Sequence, residues 1–163
     1  MEVKQFLELF TPYPGSCYLE VSQDSSEITT ALYDLLEQSQ STLDLVFYEN
    51  EKKEHKQRFI NSKIQYIDSF EKPFRALPRS VDIVILRDIL HYHKKQDVIL
   101  KTAYRALANT ADIIIMEKKG VMNIAAMCEL LEQYEFRASN SIDIFAEYDL
   151  VMAKKMHMWG NGL

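Results

Sequence analysis

The sequence predicts an α/β domain with an open, twisted sheet that is mostly parallel, carries helices on both faces and ends in an antiparallel strand. Strand-like and helix-like segments alternate along nearly the whole chain, as they do in right-handed βαβ units. Residues 81–86 and 112–116 are almost unbroken runs of branched apolar side chains, which is typical of strands buried on both faces of a parallel sheet. Residues 141–145 and 148–154 are rich in strand formers and are separated only by a short turn, so we expect them to pair.

In the first half of the chain, apolar side chains at helical spacing predict a short opening helix, which Pro12 and Pro14 end. A strand then passes into an amphipathic helix that begins at Glu27, without a glycine at the joint. The predicted elements of this half are the opening helix within residues 1–11, strands at 17–21, 43–48 and 63–67, the helix from Glu27, and a mostly polar helix at 50–61.

In the second half, two amphipathic helices alternate with the buried strands. Leu100, Ala103 and Leu107 mark the first, and Asn109 can end it in the left-handed conformation. The second follows Gly120 and extends over residues 124–134. The tail, residues 157–163, is predicted to be frayed. The whole chain, 1–163, is thus predicted to be one domain.

Composition narrows the class of protein. The net charge is −5, which argues against a nucleic-acid-binding surface. No apolar run approaches the ~18 residues of a membrane span, and the start of the chain lacks the features of a signal peptide. Cys17 and Cys128 form no closely spaced pair, which suits a reducing compartment. We therefore expect a cytoplasmic domain without a membrane partner.

The order of elements resembles that of the class I S-adenosylmethionine-dependent methyltransferases over essentially the entire chain, which implies a Rossmann-like sheet. Residues 80–93 look like the family's fourth strand and the loop after it, and residues 100–117 match the following helix and fifth strand. Glu49, at the end of the second strand, stands where the family holds the cofactor ribose. Asp68, after the third strand, stands where the family often places an acid against the adenine amino group.

The first motif departs from the family's pattern, which is roughly L-(D/E)-x-G-x-G-x-G. Leu19 and Glu20 match it, but Ser22, Asp24 and Ser26 occupy the three glycine positions. Each replacement adds a Cβ and a polar group where glycine would let the backbone approach the ligand. If the cofactor binds, the resemblance implies that the amides of residues 22–24 hold its amino-acid end and that Glu20 is also a cofactor-binding residue.

Asp24 also has a structural interpretation. With Glu27 three residues later it can form a capping box, in which its carboxylate binds the free amides at the start of the helix. The carboxylate of a bound ligand would then meet an occupied site and a like charge. We expect capping rather than cofactor binding for this side chain.

The loop after the fourth strand holds the candidates for catalysis. His91 or His93 could act as a base on a substrate hydroxyl or amine, or both could be loop histidines without a catalytic role. Arg87 and Asp88 end a buried strand, where polar residues are either functional or paired with each other. His91 and His93 lack a third ligand at a recognisable spacing, so no metal site is predicted.

Three function classes remain open. The first is a methyltransferase with a degenerate cofactor site and an unidentified small-molecule or protein methyl acceptor. The second is a non-catalytic regulatory or assembly protein of the same fold, which acts through a protein partner. The third is a domain that binds another nucleotide, with Glu49 on the ribose hydroxyls. A receiver domain is excluded because residues 22–24 supply only one acid.

Overall fold

The computed structural model describes residues 2–156, so the tail predicted to be frayed lies outside the described residues. Within this range the helices are α1 (Glu2–Leu7), α2 (Glu27–Gln38), α3 (Lys53–Arg58), α4 (Gln96–Ala106) and α5 (Ile124–Gln133). The strands are β1 (Cys17–Ser22), β2 (Thr42–Phe47), β3 (Ile64–Tyr66), β4 (Val81–Arg87), β5 (Leu107–Lys118), β6 (Phe136–Ile142) and β7 (Tyr148–Lys155).

The strands form one sheet in the order β3-β2-β1-β4-β5-β7-β6. The pairs among β3, β2, β1, β4 and β5 are parallel, and β7 runs antiparallel to both of its neighbours. The chain moves outward from β1 to β3 and then returns to place β4 on the other side of β1. This arrangement confirms the predicted mixed sheet, and it puts the reversal of strand order between β1 and β4.

Both faces of the sheet are buried. On one face, Val84, Leu86 and Ile115 pack into a core that includes apolar residues of α4 and α5. On the other face, Ile85 and Ile114 pack into a second core with residues of α1 and α2. Because side chains alternate between faces along a strand, unbroken apolar runs such as β4 can supply both cores.

Helix α3 is shorter than the helix predicted at 50–61, since it extends only over Lys53–Arg58. Its N-cap residue, Lys52, makes no side-chain capping bond. In this segment the side chains of His55 and Phe59 are buried. Two buried side chains supply little of the tertiary packing that would stabilise a longer helix.

The prediction for the sixth strand was wrong in its bounds. The strand was expected at 141–145, whereas β6 is Phe136–Ile142 and pairs with β7 from Phe136 to Ile142. Phe136 is fully buried, but most of the strand lies at the exposed edge of the sheet and has a polar sequence. An edge strand of this kind has little apolar periodicity for sequence reasoning to detect.

The expected left-handed helix end at Asn109 was also wrong. Helix α4 ends at Ala106, and Asn109 lies within β5. The residue with positive φ is Thr110, at 70°. Leu107 pairs with β4 before a register shift, and the regular ladder resumes at Asp112, so the strand bulges between them.

In the part of the chain that the structure describes, no helix has the length and apolar character needed to cross a membrane.

Candidate functional site

The carboxyl ends of the parallel strands meet at one edge of the sheet, beside the reversal of strand order between β1 and β4. In open α/β sheets this is where ligands usually bind. The edge carries the β1–α2 turn, Glu49 after β2, Asp68 after β3, the loop after β4, and Glu117 at the end of β5. These groups therefore form one candidate site.

The β1–α2 turn is organised by its own polar side chains. Ser26 is the N-cap of α2: its hydroxyl oxygen accepts from the Ile28 amide at 3.1 Å, and its own amide donates to the Thr29 hydroxyl at 3.1 Å. The expected capping box of Asp24 and Glu27 was therefore wrong, because Ser26 is adjacent to the helix and Asp24 lies two residues earlier. Residues 22–26 all have negative φ, so the turn does not use a glycine conformation.

The Asp24 carboxylate instead joins an ionic network. Its Oδ2 accepts from Lys52 Nζ at 2.8 Å, and its Oδ1 lies 2.9 Å from Nε2 of His55. Lys52 Nζ also lies 3.1 Å from Glu49 Oε1. Partial burial alone would raise the pKa of Asp24, but the hydrogen bonds from Lys52 and His55, and then from the Ser25 amide, lower that pKa to about 2. The carboxylate is thus ionised at neutral pH.

His55 is a member of this site that sequence reasoning missed. Its ring is buried, stacks on Phe47 with 4.1 Å between centroids, and has Nδ1 2.9 Å from the Tyr66 hydroxyl. His55 lies in a strongly charged segment of the sequence, which is typical of a solvent-exposed helix face, so its burial was not predicted. Asp24, Glu49 and His55 are residue types that bind metals, and their ligand atoms lie within 4.8 Å of one another. The Lys52 ammonium between the two carboxylates already supplies positive charge there.

A second ionic group is buried beneath the turn. Glu20 is 0% exposed, and its Oε1 accepts from the Thr29 hydroxyl and lies 3.6 Å from Nη2 of Arg87. Arg87 is also buried, and the same Nη2 donates to the backbone carbonyl of Asp24 at 2.6 Å. Among residues 2–156, Glu20 Oε2 and Arg87 Nε find no hydrogen-bond partner. Arg87 is thus paired with Glu20 rather than with its neighbour Asp88.

Two hydrogen bonds connect the β1–α2 turn to the end of β4. One is the bond from Arg87 to the Asp24 carbonyl, and the other runs from the Gln23 side-chain amide to the Asp88 carbonyl at 2.9 Å. The Ser22 hydroxyl also donates to the Asp24 carbonyl, at 3.0 Å. Side chains of the turn and of β4 therefore span the part of the cleft that faces the reversal of strand order.

The other part of the cleft, above β2 and β3, is open and has a volume of about 390 Å³. Glu49 lines it, and the Oε2 of this carboxylate is buried with no hydrogen-bond partner in the described part of the chain. Tyr48 and Phe70 line the same volume and stack on each other at 5.3 Å. Asp68 is at its rim, mostly exposed, with its Oδ1 2.9 Å from Lys72 Nζ. The two acids that the resemblance singled out thus share one cleft.

The remaining candidates, Asp88, His91 and His93, do not line that cleft. The carboxylate of Asp88 accepts from the Tyr148 hydroxyl at 2.9 Å, and His91 is exposed. His93 is buried, with Nδ1 accepting from the Lys95 amide and Nε2 3.0 Å from the Lys72 carbonyl. Because both ring nitrogens are engaged, His93 is held in a structural role and has no free nitrogen with which to act as a base.

Glu117 is a second residue that sequence reasoning missed, since it ends an apolar strand without any motif. Its side chain is buried and accepts from the His91 amide at 2.9 Å. Burial, with a smaller contribution from the charge of Asp88, raises the pKa of Glu117 to about 7, against the hydrogen bonds from the His91 and Leu90 amides. This carboxyl therefore changes charge near neutral pH.

Comparison with solved structures identifies the fold of this chain. A methyltransferase from Aquifex aeolicus that depends on S-adenosylmethionine superposes with a TM-score of 0.74 at 15% identity, over 94% of this chain and 89% of that one. Phosphoethanolamine N-methyltransferase 2 of Haemonchus contortus, solved with S-adenosylmethionine, gives 0.73 at 12% identity, over 96% and 52%. The CurJ carbon methyltransferase gives 0.74 at 13% identity, over 95% and 52%.

The chain has the fold of the class I S-adenosylmethionine-dependent methyltransferases. It spans about half the length of the Haemonchus and CurJ chains and most of the Aquifex chain. No protein-family model and no curated protein sequence matches it. At these identities the likeness defines the fold, and the function has to be argued from the site.

Proposed function

We propose that this protein is a methyltransferase-fold protein that does not use S-adenosylmethionine and acts by binding, as a regulatory or assembly protein with a protein partner. The observation that carries the proposal is the pair of hydrogen bonds across the cleft, from Arg87 to the Asp24 carbonyl and from Gln23 to the Asp88 carbonyl. They occupy the side of the cleft where the resemblance would put the amino-acid end of the cofactor.

The energetics support this interpretation. Admitting a ligand between the turn and β4 would break both bonds, one of which is donated by Arg87, the ion-pair partner of the fully buried Glu20. Separating a buried ion pair is costly, because the remaining charge has neither water nor a partner. In addition, no glycine lets the backbone approach a ligand closely in residues 22–26. The residues present at this end do not fit the cofactor.

The direct test is calorimetric titration of the folded protein with S-adenosylmethionine and its demethylated product. We expect no binding heat at millimolar concentrations of either ligand, because the side chains of the turn occupy the site. Circular dichroism on the same sample checks that the protein is folded. Binding at micromolar concentration would contradict the proposal and would justify a search for a methyl acceptor.

A second candidate function is favoured by the open part of the cleft, namely binding of a nucleoside through its ribose. Glu49 Oε2 is buried at the cleft, and no group of the described residues donates to it, which is costly unless a ligand hydroxyl does. The ring faces of Tyr48 and Phe70 contribute apolar surface to the same cleft. A nucleoside without a methionine arm would avoid the closed turn.

For the nucleoside-binding candidate, the substitution Glu49→Ala is expected to weaken adenosine binding by roughly ten- to a hundredfold. This is the scale of a charge-assisted hydrogen-bond pair. Glu71→Ala is the matched control, since this exposed acid does not line the cleft and is paired with Lys94 on the surface, where an ion pair is worth little. Calorimetry on the two variants measures the difference. Unchanged affinity in Glu49→Ala would rule out ribose recognition by this carboxylate.

A further inference from the structure

A second concave site lies at the opposite edge of the sheet from the cleft described above. Its volume is about 620 Å³, and it is formed where the segment before β4, the last turns of α4 and α5, and the end of β7 come together. Four basic residues line it, and we call it the basic cavity: Arg79, Lys101, Arg105 and Lys155.

The charge of the basic cavity is not balanced by nearby acids. Within residues 2–156, none of its four basic side chains forms an ion pair with a carboxylate. One acid lines the cavity, Glu135, and it lies 3.4 Å from Arg137 rather than against the four cations. Since the net charge of the chain is −5, this concentration of positive charge contrasts with the rest of the protein.

Lys155 gives the basic cavity a fixed charge. The residue is only 8% exposed, and its Nζ donates to the carbonyls of Tyr104 and Leu107 at 2.8 Å each. The ammonium also lies 4.6 Å from the centre of the Tyr104 ring. Because an ammonium has three N–H donors, one is left after these two bonds. Burial lowers the pKa of Lys155, and the positive charge of Arg79 lowers it further.

The backbone around the basic cavity is strained at two residues. Arg79 and Glu135 have φ values of 53° and 75°, in the left-handed region that non-glycine residues seldom adopt. Arg79 is held there by its amide, which donates to the Arg105 carbonyl at 2.9 Å. Strain of this kind persists where the surrounding structure enforces it, and it is frequent at binding sites.

We propose that the basic cavity binds a small, multiply charged phosphate anion of the di- or triphosphate class. Guanidinium and ammonium groups are the side chains that recognise phosphate oxygens, and an anion would relieve the repulsion between Lys155 and Arg79. The volume is in the range of small-molecule sites. The surrounding negative charge favours a compact anion over a long nucleic acid. Tyr104 and Tyr134 also line the cavity and offer ring surface to a nucleoside.

The test is calorimetric titration with tripolyphosphate and, separately, with ATP. We expect binding of both, and Lys101→Ala or Arg105→Ala is expected to weaken it about tenfold, the scale of one hydrogen bond to a charged group. Both side chains are exposed, so the fold should be retained. Lys94→Ala is the matched control, because this exposed lysine lies in the loop after β4, at the other edge of the sheet.

A further variant should move affinity in the opposite direction. Glu135→Gln removes the acid of the cavity and is expected to tighten tripolyphosphate binding a few-fold.

Tighter binding of ATP than of tripolyphosphate would assign a nucleoside polyphosphate, and equal binding would assign the polyphosphate group alone. The proposal is overturned if neither probe binds, if Lys94→Ala weakens binding as much as Lys101→Ala, or if a short single-stranded DNA binds more tightly than ATP. Glu49→Ala should leave tripolyphosphate binding unchanged, because this probe has no ribose, and this separates the result from the nucleoside candidate.

Discussion

Replacing Arg87 with methionine is expected to destabilise the protein by about 3–5 kcal/mol, the usual cost of removing one partner of a buried ion pair. Glu20 is fully buried, and Arg87 is the basic residue paired with it. The variant would also lose the bond from Arg87 to the Asp24 carbonyl. Urea denaturation followed by circular dichroism measures the effect as a lower midpoint at an unchanged slope.

Two control variants make this prediction specific. The double variant Glu20→Gln with Arg87→Met removes both charges, so it should recover much of the lost stability, because no unpaired charge remains. Arg105→Met removes an exposed arginine and should change the free energy of unfolding by no more than about 0.5 kcal/mol. A loss below about 1 kcal/mol in Arg87→Met would mean that the buried side chain of Glu20 is not stabilised by this arginine.

Glu117→Gln is expected to stabilise the protein by about 3–4 kcal/mol at pH 8 and to have little effect at pH 4. The pKa of Glu117 is raised to about 7 in the folded protein, chiefly by burial, whereas a glutamate in the unfolded chain titrates near its ordinary value of about 4.3. The side chain therefore binds its proton more tightly in the folded state.

The sign of the pH dependence follows from this difference. Below pH 4 both states hold the proton, and Glu117 imposes no penalty. Between about pH 4 and 7 the unfolded chain releases the proton while the folded protein keeps it, so wild-type stability falls as the pH rises. Above pH 7 the penalty is complete. Glutamine does not titrate and can still accept from the His91 amide, so the variant lacks this decline.

Unfolding free energies of wild type and Glu117→Gln at pH 4, 6 and 8 test the prediction. The two curves should diverge between pH 4 and 7. Glu129→Gln, at an exposed position of α5, provides the matched control and should follow wild type. Parallel curves for Glu117→Gln and wild type would show that the buried carboxyl does not titrate in this range.

The fold could be predicted because its signals are local and repeated. Unbroken apolar runs such as β4 specify buried parallel strands, and helical stripes between them specify the crossovers. The errors fall where the local signal is weak. The polar edge strand β6 lacks apolar alternation, and in the polar stretch of residues 22–26 several side chains can cap a helix. Ser26 rather than Asp24 caps the helix because the conformation of the turn places Ser26 next to the first helical residue. The amino-acid composition of this stretch does not specify that conformation.

The candidate site was less predictable because its contacts are distant in sequence. That Glu49 follows β2 could be anticipated from strand order, although its proposed role in ribose binding remains a prediction. The pairing of Glu20 with Arg87, and the bond from Gln23 to Asp88, each join residues more than sixty positions apart. His55 is buried because Phe47 and Tyr66 stack on it, and no periodicity in a short polar helix indicates this.

The bonds between the β1–α2 turn and the end of β4 also constrain how this sequence can evolve. A single substitution of Ser22 by glycine would remove the Ser22 hydroxyl bond, yet Gln23 and Arg87 would still cross the cleft. Replacing Arg87 first would leave Glu20 unpaired in the core. Each first step thus loses stability without gaining a ligand, and only several simultaneous changes would reopen the turn. The closed turn is therefore protected against single substitutions, because each of them costs stability before a ligand can bind there.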